Sequence, residues 1–138
     1  MKLTGMMAAL GYFISKLGEK GLPFFKLLKK ANKFIWDDDA QQAFEQLKDS
    51  LTSPPIMTPP IEKETLILYI SATTNVVSTV LVAEQEEVGQ VYPVQRPVYY
   101  VSEVLADAKT CYSQPQKLLY ALLITSRKLR HYFQAHKI

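Results

Sequence analysis

Few side chains in these 138 residues are spaced for chemistry. Asp37, Asp38 and Asp39 place three carboxylates in a row, oxygen donors of the kind a hard cation takes. They also stand at the start of a helical apolar pattern, where consecutive side chains point in different directions. Their expected role is to cap the free N–H groups and to favour the positive end of the helix dipole. His131 and His136 are five apart, not at the i, i+4 spacing of a helical metal pair. The single cysteine, Cys111, excludes an internal disulfide and a cysteine-cluster metal site. No glycine-rich phosphate loop, nucleophile elbow or paired acid–base site is present. What remains is cationic. Lys26, Lys29 and Lys30 near one end, and Lys117, Arg127, Lys128 and Arg130 near the other, are the candidate phosphate contacts, with plain solvation as their competing role.

The charge distribution sharpens that reading. Overall the chain is only +3, but residues 1–36 carry +6, 37–64 carry −5, 65–107 carry −4 and 108–138 carry +6. Two basic ends around an acidic middle suit nucleic-acid contact at the ends, or oppositely charged surfaces that face each other. Hydrophobic content of 48% and charged content of 21% belong to an ordinary globular protein. No window approaches the roughly 18 uninterrupted apolar residues of a membrane span, and the N-terminus lacks a signal-peptide pattern. A soluble intracellular protein, cytoplasmic or nuclear and without a membrane partner, is expected.

The elements that must position these groups follow from periodicity. Met6, Leu10, Phe13, Ile14 and Leu17 fall at helical spacing, and Gly18 and Gly21 are expected to end that helix. Leu22, Phe25 and Leu28 anchor a second short helix or turn with Lys26, Lys29 and Lys30 exposed. After Asp37–Asp39, the residues Ala40, Ala43, Phe44, Leu47 and Leu51 share one helical face. Thr52–Pro60 holds four prolines in nine residues, which stops the helix and reads as a linker. Strand signals occupy residues 65–70, 76–83 and 91–101, with Glu84–Gly89 as a polar hairpin tip. A last helix is opened by the capping pair Ser113 and Gln116, with Pro115 in its first turn. Its stripe of Leu119, Leu122, Leu123, Ser126, Leu129 and Phe133 is expected to pack on the three-stranded sheet. The divisions are then 1–53, a helical segment; 54–63, a Pro-rich linker; and 64–138, the sheet and its helix.

Three stretches taken in order, Leu66–Leu81 (LILYISATTNVVSTVL), Arg96–Leu105 (RPVYYVSEVL) and Tyr112–Phe133, resemble the RNase H-like domain of gypsy-type LTR retrotransposon polyproteins. Residues 1–53, with Phe34-Ile35-Trp36 and Ala43-Phe44-Glu45-Gln46-Leu47-Lys48, resemble the reverse transcriptase thumb and connection that precede it. The resemblance implies an α+β architecture: short N-terminal helices followed by a truncated RNase H-like fold of three antiparallel strands and one packed helix.

What the resemblance implies about catalysis is mostly negative. Catalytic members cleave RNA in hybrids with two Mg2+ ions held by clustered carboxylates. Their first-strand Asp-Ala-Ser corresponds here to Ser71-Ala72-Thr73, and the helix glutamate to Leu118. Neither position offers a carboxylate, so no catalytic residue, resident metal or cofactor is expected. An active nuclease would need substitute ligands such as Glu103 or Asp107. The expected role is a structural tether, or a guide for an RNA/DNA hybrid, within a larger reverse transcriptase whose remaining segments are its partners. An interaction module without nucleic-acid binding is the third reading. In the full fold a fourth strand pairs with the first. Residues 65–71 would otherwise present an apolar edge, through which self-association is expected.

Overall fold

A computed structural model describes residues 2–29 and 35–138. Helices α1 (Lys2–Ala9), α2 (Leu17–Lys29) and α3 (Asp38–Thr52) come first. Strands β1 (Leu66–Ala72), β2 (Val76–Gln85) and β3 (Val94–Val104) then form an antiparallel sheet in the order β1-β2-β3. A 3-10 turn (Asp107–Cys111), α4 (Gln114–Lys128) and α5 (Arg130–Ala135) close the chain. The α+β architecture is as the resemblance implied.

Local signals account for most boundaries. The Asp37 carboxylate accepts a hydrogen bond from Ala40 N at 3.0 Å, so the acidic run does cap α3. At the start of α4, Gln116 Oε1 accepts from Ser113 N at 2.9 Å and from the Ser113 hydroxyl at 3.1 Å. The loop between β2 and β3 turns at Gly89, whose φ of +90° lies in the region glycine tolerates best. Arg96 and Glu87 clasp that loop through two hydrogen bonds of 2.7 and 2.9 Å. The Arg96 bond holds the Glu87 carboxyl below its usual value, against a smaller opposing effect of desolvation.

Three apolar clusters form among the described residues. Met7, Ile14, Phe24, Leu27, Ala40, Ala43 and Leu47 knit the three N-terminal helices together. Leu66, Leu81, Ala83, Val98, Val101 and Leu129 form a second cluster between sheet and C-terminal helices, and Val77, Leu105 and Ala121 a third beside it.

Two expectations fail here for steric reasons. Gly18 and Gly21 do not end a helix; they lie buried inside α2. A Cβ on Gly18 would stand 2.7 Å from Ser102 Oγ and 2.8 Å from Val76 Cγ1, and one on Gly21 would stand 2.9 Å from Met7 Cε. These glycines let α2 approach the sheet and α1. The face of α4 is also rotated from the expected stripe. Its buried residues are Lys117, Ala121 and Thr125, spaced i, i+4, i+8, whereas Leu119, Leu122 and Leu123 are exposed. The small Ala121 and Thr125 bring the helix backbone close to β2. There the Thr125 hydroxyl meets that of Thr79 at 2.8 Å and donates to Ala121 O at 2.7 Å. Of the expected stripe, Leu129 is buried and Phe133 packs against the same cluster.

Candidate nucleic-acid interface

The end of β1 is the position where the resemblance looks for a metal ligand. Ser71 pairs across the sheet with Ser78, and Ser78 with Ser102, so three serines form one row. Ser78 and Ser102 share a hydrogen bond of 2.9 Å, and Ser102 Oγ accepts from Gly18 N at 2.9 Å. Strand alternation sets this row opposite the face where Val77 and Thr79 meet α4. Ser71 therefore lines a groove of about 160 Å3 with Ser15, Lys16 and Tyr100, on the α2 side. Burial pushes the Tyr100 hydroxyl above its usual pKa.

The start of α4 is clipped to the same end of β1 by two long-range bonds. Gln114 Nε2 donates to Ala72 O at 2.8 Å, and Lys117 Nζ donates to Thr74 O at 2.9 Å. Lys117 is only 6% exposed, so it departs from the expected phosphate contact: the phase of α4 turns it under the β1–β2 turn. Next to it in sequence, Leu118 is half-buried and offers no lone pair. A hydroxyl, an aliphatic chain and an ammonium are a poor donor set for Mg2+, which takes carboxylate and other oxygen ligands. Among the described residues no group of three or more His, Cys, Asp or Glu is placed to hold a metal ion.

Of the two substitute ligands, Glu103 is committed elsewhere. Tyr120 donates to Glu103 Oε1 at 2.5 Å, and Lys109 Nζ lies 2.5 Å from the Tyr120 oxygen and 3.3 Å from Glu103. The Tyr120 bond, followed by that to Glu103, holds the Lys109 ammonium above its usual pKa. This trio ties β3, the 3-10 turn and α4 together, a contact that no periodicity in the sequence signals. Asp107 begins the 3-10 turn with a φ of 51°, and Cys111 is exposed on it. His136 Nδ1 lies 3.0 Å from Glu64 O, and His131 lies against Tyr132 with ring centroids 4.2 Å apart.

The remaining cations divide by location. Lys26 and Lys29 are exposed on the last turns of α2, and both line a groove of about 480 Å3 with Asp37 and Asp39. Arg127, Lys128 and Arg130 are exposed where α4 passes into α5. Lys29 and Lys128, from opposite ends of the chain, line one cavity of about 500 Å3. Lys30, also a candidate, lies outside the described residues, as does Phe34.

A three-stranded antiparallel meander with a helix laid across it, preceded by a helical segment, is the architecture this interface is built on. Residues 36–138 match the RNase H-like domain found in reverse transcriptase, and the chain belongs to that family. It is 28% identical over 134 residues to the Transposon Tf2-3 and Tf2-4 polyproteins of Schizosaccharomyces pombe, covering 97% of this chain and 10% of each polyprotein. The chain thus spans about a tenth of the length of the curated relatives it matches. The foamy viral protease-reverse transcriptase in complex with an RNA/DNA hybrid superimposes with a TM-score of 0.71 at 17% identity, over 93% of this chain and 17% of that one. Its complex with double-stranded DNA gives 0.70 at 16% identity, over 93% of this chain and 26% of that one. These likenesses show a shared fold. Among the described residues no helix is long and apolar enough to cross a membrane.

Proposed function

We propose that this chain is the thumb-end and RNase H-like part of a gypsy-type retrotransposon reverse transcriptase, with a helical segment at 1–53, a linker at 54–63 and the RNase H-like unit at 64–138. In this reading the RNase H-like unit no longer cleaves. It tethers the polymerase to neighbouring segments and guides an RNA/DNA hybrid. One observation carries the proposal: where the family's metal ligands are expected the chain has Ser71 and Leu118, and the buried ammonium of Lys117 donates to Thr74 O close by in the chain. A fixed positive charge there disfavours a second cation. The exposed Lys26, Lys29, Arg127, Lys128 and Arg130 supply the phosphate contacts. Support also comes from the fold shared with a reverse transcriptase that binds an RNA/DNA hybrid.

The test is a labelled hybrid titrated with the full chain across salt concentrations, with Mg2+ or Mn2+ present. Two to five cations meeting phosphates would weaken binding by about 10- to 500-fold between roughly 50 and 200 mM salt. No cleavage is expected. Metal-dependent cleavage that survives changes at Ser71 and Leu118 but dies with Glu103→Gln would overturn the non-catalytic reading; a flat salt response would overturn the guiding role.

Self-association is part of the proposal. β1 is an edge strand whose Leu66 N–H is met by Lys137 O at 2.8 Å, while among the described residues no further strand pairs along its outer side. Its sequence, LILYISA, carries no charge to discourage pairing with a second copy. Light scattering on the purified chain should therefore report dimers or larger species, and a clean monomer at tens of micromolar would rule this out.

A further inference from the structure

The side of β3 facing away from β2 joins residues that the sequence keeps far apart. Lys29 ends α2 and Lys128 ends α4, yet both line the same cavity of about 500 Å3. Met7, Leu17 and Phe25 give it an apolar floor. Glu103 is the acid on its wall, and that carboxylate is already engaged by Tyr120 and Lys109, which leaves the two lysines to set the local charge. Tyr100 N donates to Tyr12 O at 3.3 Å on this side of the strand. The two-residue period of a strand then turns the backbone N–H groups of Ser102 and Val104 the same way.

We propose that this groove is the track of one phosphodiester strand. Lys29 and Lys128 each meet a phosphate there, and the apolar floor takes a sugar or base edge. The proposal rests on the nucleic-acid reading above and assigns that reading a place. A polyanion fits better than a small anion because further exposed cations stand beside each of the two lysines in the chain. Lys26 lies one turn before Lys29 on the same helix, and Arg127 and Arg130 flank Lys128. Salt-dependent binding of this kind follows from counterions released at each phosphate contact.

A second consequence separates this track from a generic basic surface. Lys29 belongs to the helices before the Pro-rich stretch and Lys128 to the helix on the sheet. A strand that holds both bridges the two parts, so the bound form is stabilised against their separation.

The experiment uses the full chain and a fluorescein-labelled RNA/DNA hybrid. It compares wild type, Lys29→Ala/Lys128→Ala, Lys29→Arg/Lys128→Arg, and the charge-matched control Lys48→Ala/Lys137→Ala. The groove double variant should bind about 10- to 100-fold more weakly, with its salt slope reduced by about two. The arginine pair should retain binding, and the control should change it by less than about threefold. Hybrid should raise the Tm of wild type and control but not of the groove variant. Both lysines are exposed, so equal Tm values without hybrid will show that the variants fold. If the groove variant binds with wild-type affinity and slope, the track lies elsewhere while the nucleic-acid reading stands. If the wild type binds no hybrid, that reading fails and the track with it.

Discussion

Replacing Leu81 by alanine is expected to cost about 2–5 kcal/mol of folding stability, a large share of the roughly 5–15 kcal/mol that domains possess. Leu81 is fully buried on the central strand, opposite Leu68 of β1 and Tyr99 of β3, and it packs in the cluster that contains Leu129. The paired strands on both sides hold the backbone of β2 in place, so a void there is not readily closed. Denaturant unfolding of Leu81→Ala should show the lower midpoint with a similar slope. A loss below about 1 kcal/mol would mean that the sheet core collapses around the cavity instead of retaining it.

Gly18→Val is the second large effect and acts at a different boundary. The glycine N–H donates to Ser102 Oγ at 2.9 Å, and any Cβ would press on Ser102 and Val76, both of which are held within the sheet. Overpacking of this kind costs about 1–3 kcal/mol, and valine brings little helix propensity to offset it. The damage should concentrate where α2 meets β3. Hydrogen exchange should quicken in α1 and α2 while β2 and α4 stay protected, whereas uniform loss across the chain would show that the helices and the sheet unfold as one unit.

Much of this was readable before the fold was known, and the failures have physical causes. The strands were legible because apolar and β-branched residues fill Val76–Ala83 apart from Ser78, and α3 because Asp37 caps a clear amphipathic pattern. The orientation of α4 was not, because its inward face carries Lys117, Ala121 and Thr125, two polar residues and a small one, while leucines face out. Counting apolar side chains favours the wrong face when close backbone approach decides the packing. Gly18 and Gly21 misled for a related reason: only the neighbouring surface distinguishes a glycine that ends a helix from one that admits contact. The two basic ends were visible as charge. That Lys29 and Lys128 line one groove depends on how α2 lies along β3, and no local pattern encodes that.

The Pro-rich stretch has a mechanical consequence. It is fastened partway along, since Thr58 N donates to Pro97 O at 3.1 Å and the Thr58 hydroxyl is bonded to Gln85 Oε1 at 3.0 Å. Only Ser53–Met57 lie between the end of α3 and that anchor. The six Cα-to-Cα steps from Thr52 to Thr58 stretch to about 22 Å at most. Even with every contact between helices and sheet broken, α3 could not stray farther than that from the edge of β3. The segment works as a short leash, and the helices would re-dock by a brief local search rather than by free diffusion.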